Sequence, residues 1–237
     1  MKPLVIAIDG PSGAGKGTLA RAVAAALGYE HVDTGAMYRA VAWKAVQEGL
    51  PLHDDAQVAA LAERAQLECG HGRVLIDGHD VTRAIRTPEI DRAAATVARL
   101  AGVRSVLVAR QRQLGEDRRV VMEGRDIGTV VFPDAEVKVY LDASAEERAR
   151  RRASDPAHTG GQLGTLAGVQ NDLQERDRSD SERPVAPLTL ARDAVYIDTT
   201  GMPIEAVVAK VMGIVSDKLR GERTKNEERR TKNGTKN

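Results

Sequence analysis

Leu4-Val5-Ile6-Ala7-Ile8-Asp9-Gly10-Pro11-Ser12-Gly13-Ala14-Gly15-Lys16-Gly17-Thr18 is the stretch from which the fold can be read. Residues 4–8 are a continuous apolar run, as in a strand buried on both faces. Over residues 16–27, Leu19, Ala20, Val23, Ala24 and Leu27 recur at helical spacing, and Gly28 stops the pattern. Between strand and helix lies G-x-x-x-x-G-K. Its glycines let successive backbone N–H groups turn inward around a phosphate, and the helix that follows adds its positive dipole end. Lys16 is then placed to reach the β- and γ-phosphates of a nucleotide. An ordinary glycine-rich turn would need neither the apolar strand before it nor the amphipathic helix after it.

Working outward, strand, glycine loop and helix open a βαβ unit. Val120-Val121-Met122, Val137–Leu141 and Ala194–Ile197 are further strand candidates, separated by long helical patterns. This predicts a mainly parallel sheet covered on both faces. Thr87-Pro88 offers a capping hydroxyl with proline at the first helical position. Ser144-Ala145-Glu146-Glu147 fits the capping box. The last helix is expected to begin near Pro203, with Ile204, Val207, Val208, Val211, Ile214, Val215 and Leu219 on its apolar face.

Two stretches interrupt the alternation. Residues 67–86 read as short strands around a polar turn, within an insert spanning about 67–92. Asp155–Gly168 is rich in Gly and Thr with little periodicity, and is expected to be an irregular lid over about 153–170. Residues 1–220 are thus expected to be one domain. Residues 221–237, polar and carrying three Thr-Lys-Asn triplets, are expected to be a disordered tail.

Composition narrows the function classes. A hydrophobic fraction of 42% in 237 residues suffices for one α/β domain, and with one Trp and one Phe its core must be largely aliphatic. A net charge of +1 gives no global signature of a nucleic-acid binder. The single cysteine, Cys69, cannot form an intramolecular disulfide, which fits a reducing interior. No secretory leader and no apolar run of about 20 residues is visible, so a cytoplasmic protein is expected. His31, His53, His71, His79 and His158 lack metal-ligand spacing.

The phosphate loop alone does not choose among kinases, GTPase switches and motor ATPases. No Asn-Lys-x-Asp element for guanine is present. Gly17 stands where many such loops place the magnesium-ligating Ser or Thr. The order G-K-G-T resembles nucleoside monophosphate kinases, and implies that magnesium is held mainly through ATP and water, with no direct protein ligand.

Four elements then carry a more specific resemblance: Ile8–Thr18, Asp33-Thr34-Gly35-Ala36-Met37-Tyr38-Arg39, Gly124-Arg125-Asp126-Ile127-Gly128-Thr129-Val130-Val131-Phe132-Pro133, and Glu175-Arg176-Asp177 leading to Arg183-Pro184. In order and spacing, from about residue 4 to about 219, the chain resembles bacterial cytidylate kinases. The resemblance implies an α/β fold with a parallel five-stranded sheet flanked by helices, a small β-rich nucleotide-binding insert and a lid. It implies ATP binding by Gly10, Pro11, Ser12, Gly13, Ala14, Gly15, Lys16, Gly17 and Thr18. On the acceptor side it implies Thr34, Arg39, Arg104, Arg125, Asp126, Arg176, Asp180 and Arg183. Arg39 would clamp the acceptor phosphate, Arg125 would hold the same phosphate or the transferring group, Asp126 and Arg104 would read the base, and Asp180 and Arg183 would meet the sugar with Arg176 nearby. Lys16, Arg125, Arg148 and Arg152 are the candidate catalytic residues. Ala95 stands where the family commonly has a serine, with Thr96 as the adjacent alternative hydroxyl.

The expected reaction is in-line transfer of the γ-phosphoryl group of MgATP to CMP or dCMP. Alignment and charge neutralisation supply the catalysis, with no strong general base. A monomer with ATP and CMP or dCMP as partners, and with neither nucleic acid nor membrane, is the expectation. The alternatives are a kinase for UMP or another nucleoside monophosphate, and a nucleotide-binding regulator without phosphoryl transfer.

Overall fold

A computed structural model describes residues 4–70, 72–116, 119–155 and 165–234, with side chains as far as 220. The chain opens as expected with β1 (Val5–Asp9), the glycine loop and α1 (Lys16–Leu27). The polar strand β2 (Glu30–Asp33) follows, then α2 (Thr34–Gln47) and α3 (Asp55–Arg64). The insert holds β3 (Leu67–Gly70), β4 (Arg73–Ile76) and β5 (His79–Asp80). Next come α4 (Pro88–Val97), α5 (Ala101–Leu114), β6 (Val120–Gly124), β7 (Val137–Asp142) and α6 (Ala145–Ala153). The chain closes with α7 (Leu166–Glu182), β8 (Val195–Asp198) and α8 (Ile204–Gly234).

The main sheet has five strands in the order β2-β6-β1-β7-β8. Every pairing in it is parallel. Its two faces are sorted by the alternation of side chains along each strand. Val5, Ala7, Val120 and Met122 face a core shared with α2, α3, α4 and α5. Ile6, Ile8 and Val121 face the opposite core, closed by α1 and α8. Strands buried on both sides therefore read as continuous apolar runs, while β2, at the sheet edge, buries only Val32 and reads as polar.

The insert is a three-stranded antiparallel meander, β3-β4-β5. Val74, Ile76, Val81 and Ile85 pack it onto Ala36 and Ala40 of α2 and Ile90 of α4. Thr87 caps α4 by accepting from the Ile90 N–H at 3.3 Å, as its sequence signature predicts. At α6, Ser144 accepts from the Glu147 N–H at 3.2 Å, which is half of the expected capping box. The other half does not form. Glu147 instead binds Arg150 and Arg151, and the Ser144 N–H donates to Thr200.

Two expected boundaries move. The end of the anticipated irregular lid, residues 166–168, is already the first turn of α7, capped by Thr165. Residues 156–164 of that lid, and His71 and His158, lie outside the described residues. The final helix runs to Gly234, past residue 220, where a disordered tail was expected. The reason is propensity: the Glu, Lys and Arg that make this segment polar are also good helix formers.

Candidate active site

The C-terminal ends of β1, β2 and β6 open onto a cleft of about 1160 Å³. This is the carboxyl edge of a parallel sheet, the usual ligand position in such sheets. One wall is the phosphate loop. Gly10 has φ +144°, and a Cβ there would lie 2.0 Å from the Leu141 carbonyl oxygen on β7, so only glycine fits. Ser12, Gly13, Gly15, Lys16, Gly17 and Thr18 line the cleft directly. Lys16 is buried and donates to the Pro11 carbonyl at 2.7 Å across the loop. Burial, with the Arg125 charge, brings its amine down to about 7.

Asp9, at the end of β1, binds this wall to the opposite one. Its carboxylate accepts from Ile127 N–H at 2.8 Å and Gly128 N–H at 2.7 Å. Those residues begin a single π-turn, Ile127–Val131, inside the Gly124–Pro133 motif. Burial raises the Asp9 carboxyl to about 6 although both N–H bonds favour its charge.

Glu123 was not among the sequence candidates, yet it lines the cleft beside Gly17. A Cβ on Gly17 would stand 3.1 Å from its Oε1, so the missing side chain of the G-K-G-T order makes room for this carboxylate. Its other contact is His31 Nε2, 3.0 Å from Oε1. The signal that could have found it is its place, an acid at the end of the strand beside β1.

The facing wall is built from arginines paired with carboxylates. Thr34 donates to the Glu123 carbonyl at 2.7 Å, which fixes the start of α2 against β6. Arg39, on α2, donates through Nε to Asp91 at 2.8 Å. Arg125 donates through Nε to Asp180 at 2.8 Å. Arg176 stands 3.6 Å from Asp91, and burial with the Arg39 and Arg125 charges lowers it to about 10. Burial would raise Asp33, but Arg39 and Arg86 outweigh it and hold the carboxyl at about 2. Arg86, from the insert, donates to Asp33 at 3.0 Å and lines the cleft.

Deeper in, Asp126 pairs with Arg104 and lies 3.4 Å from Arg183. Arg183 and Asp126 are on the cleft wall; Arg104 sits behind them, its guanidinium 5.8 Å from the Tyr38 ring. Arg104 Nε and Arg183 Nη2 are buried without a hydrogen-bond partner among the described residues. Ala95 faces the cleft. Thr96 is exposed and donates to the Arg92 carbonyl of its own helix, so it does not supply the alternative hydroxyl.

The arginines of α6 divide differently from the expectation. Arg148 is not on the cleft wall. It lies under the loop, donating to Ala143 O at 3.0 Å and Ser12 O at 3.3 Å and pairing with Asp177. Asp177 Oδ1 also accepts from the Ser12 N–H at 3.2 Å. Arg148 therefore shapes the loop. Arg151 and Arg152, one turn further out, line the cleft. Arg151 also donates to Thr199 and, with Ala14, Thr18 and Met202, lines a smaller pocket of about 240 Å³ outside the loop.

Among the described residues no three His, Cys, Asp or Glu side chains gather to hold a metal ion. No helix there is long and apolar enough to cross a membrane. Cys69 is half-buried, its thiol pushed up to about 12 by burial.

Comparison with known proteins shows the family of the chain. The family model described as Cytidylate kinase matches residues 6–217. A cytidylate kinase of Desulfitobacterium hafniense (strain Y51) is 48% identical over 221 residues, 92% of this chain and 95% of that protein. Another, of Desulforamulus reducens (strain ATCC BAA-1160 / DSM 100696 / MI-1), is 51% identical over 210 residues, 87% and 94% of the two chains. Among solved structures, a gluconokinase from Sinorhizobium meliloti 1021 superposes with TM-score 0.51 at 17% identity, covering 94% of this chain and 98% of that one. That likeness concerns the fold alone.

Proposed function

The chain belongs to the cytidylate kinase family, and from that premise we propose that it transfers the γ-phosphoryl group of ATP to CMP or dCMP, giving ADP and CDP or dCDP. The observation that carries this reading is a single cleft lined both by the Lys16 loop and by the arginines Arg39, Arg125, Arg152 and Arg176, which suits a donor phosphate at the loop and an acceptor phosphate at the arginines. A sensor that bound only ATP would have no use for the second.

An oxygen of the acceptor phosphate attacks the γ-phosphorus as the bond to the β,γ-bridging oxygen breaks. The acceptor oxygen is already anionic near neutral pH, so the protein's task is alignment and charge neutralisation. Lys16 and the loop amides hold the donor phosphates. Arg125 and Arg152, with Arg151 in place of Arg148, meet the charge of the transferring group. The pocket beside Arg151, Thr199 and Met202 suits the donor purine. Magnesium would enter with ATP and supply neutralisation of phosphate charge, and Glu123 beside Gly17 would be the carboxylate placed to hold it through water.

Asp126 supports cytosine. Its carboxylate accepts from the exocyclic amine, whereas uracil offers an acceptor there and sets oxygen lone pairs against the carboxylate. Arg183, with Arg104 behind Asp126, donates to the ring, and Asp180 orients the sugar. The single cysteine suits a cytoplasmic setting, and we take the working form to be a monomer.

The test is ADP release with MgATP against CMP, dCMP, UMP, AMP and dTMP. Turnover confined to the two cytidine nucleotides is expected. Preference for UMP would overturn the account of Asp126, and silence with all five would favour a nucleotide-binding regulator.

A further inference from the structure

Asp91 belongs to none of the motifs read from the sequence. It sits in the first turn of α4, and three arginines from three other helices converge on it. Arg39 of α2 donates through Nε to Oδ1 at 2.8 Å, Arg152 of α6 pairs with Oδ2, and Nη1 of Arg176 from α7 stands 3.6 Å from Oδ1. The carboxylate is largely buried, with 13% of its side chain exposed. Burial pushes it up, but Arg39, Arg176 and Arg152 prevail and keep it well below the ordinary carboxylate range. All three arginines line the cleft and Asp91 does not.

This is the geometry of a counter-ion behind a clamp. Guanidinium groups this close repel one another and would splay apart, and a carboxylate behind them offsets that repulsion while fixing the direction of each. Taking Arg39 through Nε leaves its two Nη nitrogens for a ligand, the fork that matches a phosphate. We infer that Asp91 is a positioning residue that preorganises Arg39 and Arg176 for the acceptor phosphate and Arg152 for the transferring group, and so sets the affinity for the acceptor phosphate without changing that for the base, the sugar or ATP. The inference rests on the acceptor reading of this wall.

Asp91→Asn keeps the shape and removes the charge. The readouts are KM for CMP, KM for ATP, and the inhibition constant of cytidine, which carries the base and sugar but no phosphate. KM for CMP is expected to rise about tenfold, with the other two within twofold of the wild type. Asp91→Glu, which restores the charge one methylene away, is expected to recover part of the loss. Calorimetric binding of inorganic phosphate, weaker in Asp91→Asn than in the wild type, tests the clamp even if CMP proves not to be the acceptor. Should Asp91→Asn fail to fold, Asp91→Glu alone is expected to raise KM for CMP severalfold with KM for ATP unchanged. Unchanged or tighter binding of CMP and phosphate in either variant that folds would overturn the inference. So would equal weakening of CMP and cytidine, the mark of a merely structural residue.

Discussion

In the proposed reaction the two walls of the cleft would bind phosphate by different physics. The donor wall is mostly backbone: a contiguous glycine loop, its amides and one lysine, held by the approach of Gly10 to Leu141 and by the Asp177–Arg148 pair beneath Ser12. The acceptor wall is mostly side chain, with Arg39 from α2, Arg125 from the end of β6, and Arg176 and Arg183 from α7 and its C-terminal cap, each answered by Asp91, Asp180 or Asp126. A backbone cradle is specified by local conformation and takes any nucleoside triphosphate of the right shape. A charge-paired side-chain cradle is specified by tertiary packing, and its carboxylates also set what it accepts. Damage should therefore be uniform on the donor wall and selective on the acceptor wall.

The largest expected effect comes from the donor lysine. Lys16→Met should lower kcat by about 10³-fold or more while KM for CMP stays near the wild-type value. A parallel loss of CMP affinity would merge the two walls into one unit. Asp126→Asn should lower kcat/KM for CMP by about 10²-fold, much less for UMP, because Arg104 and Arg183 lose their buried partner and the base its acceptor. Equal loss for both nucleotides would remove base selection from this residue.

Those two expectations differ in how plainly the sequence announced them. β1, the loop and α1 are contiguous, and each alone carries its own pattern, so the donor wall was legible almost whole. Of the acceptor wall, the arginines within motifs were legible and their partners were not. Asp91 is an acid in a helix first turn, a common and uninformative feature until the fold brings Arg39, Arg152 and Arg176 around it. Glu123 was passed over because its meaning depends on β6 lying beside β1. Arg148 and Arg152 share a helical face, which periodicity could not divide into one residue under the loop and one in the cleft. β2 escaped notice because an edge strand with one buried side chain has no apolar run.

A smaller effect tests the bridge between the walls. Asp9→Ala removes the acceptor for Ile127 and Gly128 N–H, and should cost about 2 kcal/mol in chemical denaturation. The pH dependence of Asp9 has a definite sign. With a folded pKa of about 6 against 3.8 unfolded, the folded state holds the extra proton between those values, so this group's contribution to stability falls as pH rises through that window.

Lys16 gives a still smaller and more diagnostic signal. Its folded pKa of about 7 lies below 10.5, so the unfolded state binds more protons in between, and the empty protein gains stability from this group as pH rises from about 7 to 10.5. Donor phosphates restore the charge. ATP binding at pH 8 should therefore take up protons, up to one per site, measured by calorimetry in buffers of different ionisation enthalpy. Binding without uptake would mean that Lys16 is already charged in the empty loop.

The measurement closest to the central claim follows the γ-phosphoryl group itself. With γ-labelled ATP and magnesium, the account predicts that label passes to CDP when CMP is present and stays in ATP when it is absent. Label released as inorganic phosphate at the same rate with and without CMP would contradict it, because the arginine wall would then not be holding the acceptor.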